Sequence, residues 1–299
     1  MSFKKRLARF RRAQGHALRL LTGADERLHL PQRAAGQVPQ TQYYSLGPDR
    51  AMVRLLDGMV IFVDPQDEQI SAQLILYGQW EASVHKAVLS MLEPGNIVIE
   101  VGANVGYHTL GMAAAVGSTG SVTTLEANPR LTDLLERSIR INGFTDRVTV
   151  LNKAAMDQPG TISFVTSRTQ SGGGYVSIWD HTIHQDGQTI DVESVRLDDL
   201  GHDRVDMIRV DAEGCEPFVM RGAERLISTN PDIILCMEWM VYQMQSRGSV
   251  QDFVDWLIDQ GLSFWRIELD RSLKSIAASE LADLGPSEIV ASRRHPLNR

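Results

Sequence analysis

The sequence predicts an α/β fold built on a mostly parallel sheet, and three features of the chain point to it. Apolar segments alternate with helical patterns from residue 96 onward. Residues that start or stop helices stand at the ends of those patterns. The order strand, helix, strand, helix is typical of a doubly wound sheet. We therefore expect about seven strands with helices on both faces, and a ligand site beyond the carboxyl ends of the strands.

The individual elements follow in a regular order. Asn128 can cap a helix that Pro129 opens, and Gly143 stands where that helix should stop. The predicted strands are residues 96–100, 121–125, 147–151, 161–165, 192–195, 205–210, 232–237, 262–267 and 288–292, and the predicted helices are residues 106–116, 129–142, 215–227 and 250–260. Three consecutive glycines, residues 172–174, lie between two of the short strands, and we interpret that loop as a mobile lid.

The composition indicates a globular chain that carries a basic appendage. Of its 299 residues, 43% are hydrophobic and 22% are charged, which is enough apolar surface for a full core. The formal net charge is −7, yet the first acidic residue, Asp25, is preceded by a run of lysines and arginines. We predict that residues 1–45 form the basic appendage and that residues 46–299 form one domain. The acidic domain argues against a nucleic-acid partner.

Two interpretations of the appendage stay open. Its interspersed apolar residues suit an amphipathic helix that contacts anionic lipid or a lipid-linked substrate. A solvated helix that packs on the domain, or on a second copy of the chain, fits the same pattern. The sequence has no apolar run of membrane-spanning length and no secretory signal pattern at its N-terminus. We therefore expect a cytoplasmic protein that is at most peripheral to a membrane.

A glycine-bearing turn follows the first strong strand. Glu100 ends that strand, and Gly102 and Gly106 follow where the next helix opens. Glycine lets a ligand approach the backbone closely and a helix N-terminus offers free N–H groups, so we expect a nucleotide cofactor here. A dinucleotide would bring its pyrophosphate against Glu100, whereas S-adenosylmethionine brings cationic groups that suit Glu100 and the Asn104 amide. Glu126, at the end of the second strand, should accept hydrogen bonds from the ribose.

Three blocks of the sequence resemble the FkbM family of methyltransferases. They are residues 98–110 (VIEVGANVGYHTL), residues 125–129 (LEANP) and residues 208–216 (IRVDAEGCE). The resemblance covers roughly residues 80–240, the usual extent of one domain. It implies a class I, Rossmann-like methyltransferase fold with S-adenosyl-L-methionine as the methyl donor. It also implies transfer to an oxygen, often a hydroxyl of a sugar or of a polyketide-type natural product.

Carboxylates are expected around the transferred methyl group. Asp211 projects from the end of the strand 205–210 and is our first choice as base or metal ligand, and Glu238 follows the next strand and can share the site. Two such carboxylates can hold Mg²⁺ or can serve as plain hydrogen-bond acceptors. Glu213 and Glu216 follow closely, so these three carboxylates can raise one another's pKa or bind a cation. Glu216 is better explained as a helix N-terminal charge.

Further residues complete the predicted site. His108 is a second candidate base, with packing beneath the cofactor as its alternative role. Trp239 and Tyr175 are candidates for stacking on a sugar face. The predicted cofactor-binding residues are Glu81, Glu100, Gly102, Asn104, Gly106, Tyr107, Glu126, Ala155 and Asp211.

The sequence thus predicts an S-adenosylmethionine-dependent O-methyltransferase that acts on a sugar, a glycan or a glycosylated natural product. Its expected partner is that small-molecule or glycan acceptor, with a homo-oligomer as an open alternative. Two rival functions remain. One is an NAD-linked oxidoreductase or epimerase, and the other is a scaffold that keeps the fold without catalysis.

Overall fold

The computed structural model describes residues 42–177 and 187–298 of the chain. The strands are β1 (Tyr43–Ser45), β2 (Ala51–Arg54), β3 (Val60–Val63), β4 (Ile97–Val101), β5 (Ser121–Leu125), β6 (Val148–Leu151), β7 (Ala154–Ala155), β8 (Gly160–Thr166), β9 (Tyr175–Val176), β10 (Gln188–Val195), β11 (Met207–Val210), β12 (Ile234–Trp239), β13 (Ser263–Ile267), β14 (Leu273–Ile276) and β15 (Ser287–Ser292). The helices are α1 (Ile70–Tyr77), α2 (Ala82–Ser90), α3 (Tyr107–Val116), α4 (Pro129–Ile141), α5 (Glu216–Arg221), α6 (Glu224–Thr229), α7 (Val241–Gln245), α8 (Val250–Asp259) and α9 (Ala278–Leu281).

The largest sheet has eight strands in the order β14-β13-β15-β12-β11-β4-β5-β6. The five strands from β12 to β6 run parallel, whereas β15 lies antiparallel between β12 and β13, and β14 closes the edge antiparallel to β13. The chain first builds β4, β5 and β6 in one direction and then places β11 and β12 on the other side of β4. The strand order therefore reverses between β4 and β11, where open α/β sheets bind their ligands.

Both faces of this sheet are buried. Successive residues of a strand point to opposite faces, and each face packs against its own hydrophobic core. In β12, Ile234 and Cys236 join one hydrophobic core, and Leu235 and Met237 join the other. The first core includes apolar residues of α3 and α4, and the second includes those of α5, α6 and α8. The predicted doubly wound sheet with helices on both faces is confirmed, with eight strands in place of about seven.

The predicted helix boundaries are confirmed at α4. The Asn128 side chain accepts a hydrogen bond from the Arg130 N–H over 3.0 Å, and Pro129 is the first helical residue. Gly143 follows the helix with a left-handed backbone, φ 74°.

The single helix predicted over residues 215–227 was wrong, because the chain forms α5 and α6 separately. Gly222 follows α5, and glycine weakens a helix at such a point. The Asp198 carboxylate then accepts the N–H groups of Arg225 and Leu226, each over 3.0 Å. These two bonds satisfy backbone donors at the start of α6, so a second helix N-terminus is stabilised there.

Two smaller sheets were not predicted. Strands β1, β2 and β3 form an antiparallel meander, and β8 and β10 pair antiparallel in a four-stranded sheet of order β7-β10-β8-β9. The partners β8 and β10 are separated along the chain by the loop that contains residues 172–174. A pattern within one strand does not identify so distant a partner, so the sequence indicated the two strands but not their sheet.

Most of the basic appendage lies outside the described residues, as do the loop residues 178–186. Residues 43–45, the last part of the predicted appendage, form β1 and pair with β2. Among the helices of residues 42–177 and 187–298, none is long and apolar enough to cross a membrane.

Candidate active site

A cleft of 890 Å³ opens at the carboxyl ends of β4, β5, β11 and β12. Its volume lies in the range of small-molecule sites. One wall comes from the start of α1, and another comes from the loop of residues 170–174. The cleft therefore occupies the point at which the strand order reverses. The three glycines interpreted as a lid lie in this wall, whereas the remainder of that loop, residues 178–186, is outside the described chain.

The turn after β4 requires glycine at two places. Gly102 has φ 83°, and a Cβ added there would stand 1.9 Å from the Asp211 carbonyl oxygen. Gly106 has φ 96°, and a Cβ there would stand 2.4 Å from a Leu135 methyl carbon. Glycine is thus needed for the backbone conformation and for close packing. Gly102 lines the cleft, whereas Gly106 supports the start of α3 from outside it.

Asn104, between those glycines, also has a left-handed backbone, φ 52°. Its side-chain amide donates a hydrogen bond to the Ser171 carbonyl oxygen over 3.0 Å, which ties the turn to the opposite loop. Two other cleft residues, Glu81 (φ 42°) and Glu213 (φ 50°), share this conformation. A non-glycine residue held in the left-handed region is strained, and such strain is characteristic of binding sites.

Glu126 faces the cleft from the end of β5. Its two carboxylate oxygens accept the backbone N–H groups of Asn104 and Asn128, each over 2.8 Å. Burial raises the pKa of Glu126 to about 7, although these two hydrogen bonds favour the ionised form. The predicted ribose-binding carboxylate therefore lines the cleft and is oriented by the glycine-bearing turn.

Glu100 does not line the cleft, contrary to the geometry expected from the sequence. Its side chain is fully buried and accepts hydrogen bonds from the hydroxyls of Thr109 over 2.5 Å and Thr124 over 3.1 Å. The Arg209 guanidinium lies 3.7 Å from it. Glu100 belongs to the strand face that packs against α3, so its carboxylate holds β5 and α3 beneath the turn. Its predicted contact with a cationic cofactor group is not made by this side-chain orientation.

Arg209 is a buried charged residue that the sequence analysis missed. It lies in the middle of β11, and its guanidinium is 3.2 Å from the Asp211 carboxylate and 3.9 Å from that of Glu81. Burial alone would lower the pKa of Arg209. These two carboxylates and Glu100 outweigh that effect, so the pKa of Arg209 lies above its usual value. A single arginine inside an otherwise apolar strand, residues 207–210, was the available signal.

His108 is packed beneath the site and does not line the cleft. Its Nε2 lies 3.4 Å from the Glu81 carboxylate, and its Nδ1 lies 3.4 Å from Nδ1 of His85. Burial, reinforced by the charge of Arg209, holds the pKa of His108 well below its usual range, so the ring is neutral. Of its two predicted roles, this geometry supports packing. Tyr107 is likewise buried, with its ring centroid 4.4 Å from that of His85.

Three carboxylates gather in the cleft beyond β11 and β12. Asp211 follows β11, Glu238 lies near the end of β12, and Glu213 joins them from the loop before α5. One oxygen of each lies within 4.8 Å of the others. Gln243 donates a hydrogen bond to the Glu213 carboxylate from its side-chain amide. Glu216 instead begins α5 and accepts the Ala212 N–H over 2.9 Å, as a helix N-terminal charge.

The remaining predicted residues divide between the cleft and the core. Glu81 and Ala155 line the cleft. Trp239 is fully buried, donates its indole N–H to the Leu281 carbonyl oxygen and stacks on Phe253, so it belongs to the core. Tyr175 lies in β9 and is not part of the cleft wall, which instead includes Trp80.

The cleft is strongly acidic. Its charged lining residues are Glu68, Glu81, Glu126, Lys153, Asp211, Glu213 and Glu238. The Lys153 ammonium is paired with Glu193 over 2.5 Å. Burial raises the pKa of the Asp211 and Glu238 carboxyls, and Arg209 opposes that rise at Asp211. The ionised carboxylates attract cations and repel anions, and a carboxyl that burial keeps protonated can donate a hydrogen bond to a neutral ligand.

Comparison with known protein families agrees with this architecture. A family model described as the methyltransferase FkbM domain matches residues 100–264, more than half of the chain. The chain is 40% identical over 67 residues to a protein-L-isoaspartate O-methyltransferase from Hyperthermus butylicus, which covers 20% of this chain and 28% of that protein. The same enzyme from Korarchaeum cryptofilum is 38% identical over 68 residues, 20% of this chain and 31% of that one. The chain thus matches less than a third of the length of these relatives.

Solved structures that are similar to this chain include two O-methyltransferases. One is from Bacillus cereus, in complex with S-adenosylhomocysteine, with 15% identity, a TM-score of 0.42, and coverage of 70% of this chain and 79% of that one. The other, from Streptomyces achromogenes, is involved in tomaymycin synthesis and contains S-adenosylmethionine. It has 13% identity and a TM-score of 0.42, and the match covers 71% of this chain and 79% of that one.

Proposed function

The chain belongs to the FkbM methyltransferase family and carries an S-adenosylmethionine-dependent methyltransferase domain, and on that premise we propose that the protein methylates a neutral hydroxyl. The acceptor class we propose is a sugar, a glycan or a glycosylated natural product. The donor would occupy the end of the cleft at Gly102, Asn104 and Glu126. The acceptor would occupy the end at Asp211 and Glu238.

One observation carries this proposal: Glu126 and Asp211 face the same cleft from strands that lie on either side of β4. A carboxylate at the end of β5 suits the two hydroxyls of a ribose. A carboxylate at the end of β11 could accept the proton that an acceptor hydroxyl must lose. Donor and acceptor would therefore meet above the end of β4, with their reacting atoms aligned by the two ends of the cleft.

The proposed reaction needs one base and no covalent intermediate. The acceptor oxygen attacks the methyl carbon, the carbon–sulfur bond breaks, and its electron pair stays on sulfur as S-adenosylhomocysteine forms. The hydroxyl proton passes to a carboxylate, for which Asp211 is our first choice, with Glu238 beside it. Burial of both groups raises their pKa, which brings each closer to the operating pH of a general base.

The charge of the cleft supports a neutral acceptor over an anionic one. Six carboxylates line it, and Lys153 is already paired with Glu193. A phosphate-bearing acceptor or a carboxylate acceptor would meet repulsion from each of these carboxylates that is ionised. A polyhydroxylated acceptor would instead find many hydrogen-bond acceptors and no charge to oppose. The same balance disfavours the pyrophosphate of NAD, so that exclusion rests on the cleft as a whole and not on Glu100.

We further propose that the methyltransferase domain comprises residues 46–299 together with β1, which extends it by a few residues. Pairing of Tyr43–Ser45 with β2 supports placing the boundary just before β1. The basic residues that precede Asp25 support a contact of the appendage with anionic lipid or with a lipid-linked acceptor.

Two measurements test the proposed function. Calorimetry should detect binding of S-adenosylhomocysteine and no binding of NAD. Transfer from methyl-labelled donor should label neutral glycans or glycosylated natural products, and should not label an isoaspartyl peptide or RNA. The variant Asp211→Asn should keep S-adenosylhomocysteine binding and lose transfer. Binding of NAD alone, or labelling confined to the isoaspartyl peptide, would refute the proposal.

A further inference from the structure

Glu238 is a buried carboxylate of the cleft wall, and one of its oxygens has no hydrogen-bond partner. The residue is 9% exposed, and its Oε2 has no hydrogen-bond partner. The charged groups that act on it most strongly are all carboxylates: Asp211, Glu213, Glu216 and Glu288. Burying an ion without a partner is costly, so an unpaired buried carboxylate calls for an explanation, of which a bound ion is one.

The nearby arginines do not supply that partner. Arg209 pairs with Asp211 over 3.2 Å. Arg247 donates its guanidinium hydrogens to the backbone carbonyls of Val176 and Glu213, over 2.8 and 3.1 Å. Among residues 42–177 and 187–298, the ion pairs within 4.0 Å include neither the Glu213 nor the Glu238 carboxylate. Among the described residues, neither carboxylate therefore has a cationic side chain as its ion-pair partner.

The three carboxylates are also close enough to share one ion. One oxygen each from Asp211, Glu213 and Glu238 lie within 4.8 Å of one another. Two oxygens bound to the same ion lie at most about twice the metal–oxygen distance apart, which is about 4.2 Å for Mg²⁺ and about 4.8 Å for Ca²⁺. Small rotations of the side chains would bring all three oxygens to bonding distance of a common centre.

We propose that Asp211, Glu213 and Glu238 form a binding site for a hard divalent cation of the Mg²⁺, Mn²⁺ or Ca²⁺ class. An all-oxygen donor set favours these ions over zinc or copper, which prefer nitrogen or sulfur ligands. The ion would neutralise the unpartnered Glu238 and leave coordination positions open to the cleft. Its role in catalysis rests on the proposed function: an acceptor hydroxyl bound there would be polarised and would pass its proton more readily to a carboxylate oxygen that does not bind the ion, with Asp211 as our first choice. The binding of the ion does not depend on that role.

The direct test is calorimetric titration of the full chain with MnCl₂ or MgCl₂ in the absence of methyl donor. We expect one ion per chain, and an increase in Tm when the ion is added. The variants Glu213→Gln and Glu238→Gln should each weaken Mn²⁺ binding by about tenfold or more, since ligand charge sets affinity at such sites. Each should also lose the Mn²⁺-dependent increase in Tm.

A matched control separates a specific site from general attraction to an acidic cleft. Glu68→Gln removes one exposed carboxylate from the wall of the same cleft, and Glu68 is not part of the group formed by the three ligands. It should bind Mn²⁺ as the unmodified chain does. Equal losses in Glu68→Gln and Glu238→Gln, or the absence of saturable binding in the unmodified chain, would overturn the proposal.

S-adenosylhomocysteine titrations distinguish the possible failures. A glutamine variant that still binds S-adenosylhomocysteine is folded, so its loss of Mn²⁺ binding is local to the site. Mn²⁺ binding without methyl transfer to any acceptor would leave the cation site standing and would count against the proposed function. Methyl transfer that persists in the presence of a chelator, together with no Mn²⁺ binding, would leave the function standing and would remove the cation site.

Discussion

The Asn104 backbone N–H donates a hydrogen bond of 2.8 Å to the Glu126 carboxylate. This bond joins the turn after β4 to the end of β5, and the second Glu126 oxygen accepts the Asn128 N–H at the start of α4. Both bonds require side-chain oxygens at residue 126 that accept hydrogen bonds. The carboxylate is therefore already oriented for the ribose contact that we propose, which would lower the ordering cost of binding.

Replacing Glu126 by alanine should weaken S-adenosylhomocysteine binding. Hydrogen bonds to a charged group contribute about 1.5–3 kcal/mol, so we expect a loss of roughly tenfold to a hundredfold in affinity. Calorimetry measures it. The control is Glu136→Ala, which removes an exposed glutamate from α4 and should leave the affinity unchanged. Equal affinities for the Glu126→Ala variant and the unmodified chain would exclude ribose binding by this residue.

The affinity for S-adenosylhomocysteine should also depend on pH near neutrality. Burial raises the pKa of Glu126 to about 7, and the ionised carboxylate is the stronger acceptor for ribose hydroxyls. Affinity should therefore increase as the pH rises through about 7 and should fall by up to tenfold for each unit below it. Titrations across this range measure the dependence. It should largely disappear in Glu126→Gln, and an unmodified chain with a flat profile would contradict the assignment.

The parts of the fold with local signals could be predicted from the sequence. Apolar runs and the residues at helix ends identified β4, α3, β5 and α4, and Asn128 caps α4 as expected. The direction of the Glu100 side chain could not be predicted in the same way. It depends on Thr109 and Thr124, which reach it only after α3 packs on the sheet and β5 pairs with β4.

The site followed the same division. Gly102, Asn104 and Glu126 could be predicted because each closely follows a strand that the local sequence pattern indicates. The third carboxylate, Glu213, was noticed only as a neighbour of Asp211. Its approach to Glu238 depends on the parallel pairing of β11 with β12. Its position depends on a left-handed backbone, which a glutamate in a sequence does not indicate.

Gly102→Ala should destabilise the fold through a steric clash as well as backbone strain. The new Cβ would stand 1.9 Å from the Asp211 carbonyl oxygen, so the strand ends must separate, and we expect a loss of about 2–4 kcal/mol in the free energy of unfolding. Urea unfolding measures it. Gly143→Ala is the control, because its φ of 74° is similar and nothing lies within 4 Å of the added Cβ. That variant should lose about 1 kcal/mol, and equal losses in the two variants would exclude the clash.

Arg209→Met should destabilise the protein most at high pH. Arg209 is the cation that Glu100, Asp211 and Glu81 share, and it lowers the pKa of each against the effect of burial. Without it, the buried Glu100 and the partly buried Glu81 and Asp211 face one another with no cation between them, and removal of one partner from a buried ion pair costs about 3–5 kcal/mol. Their folded-state pKa values, already raised above the unfolded values, would rise further. The folded state would then bind more protons than the unfolded state, so stability is lost as the pH rises and partly regained as it falls.

Urea unfolding at several pH values measures this slope. The control is Arg137→Met, which removes a surface partner of Asp133 on α4 and should change the slope little. A loss that is independent of pH would mean that Arg209 contributes packing and not charge.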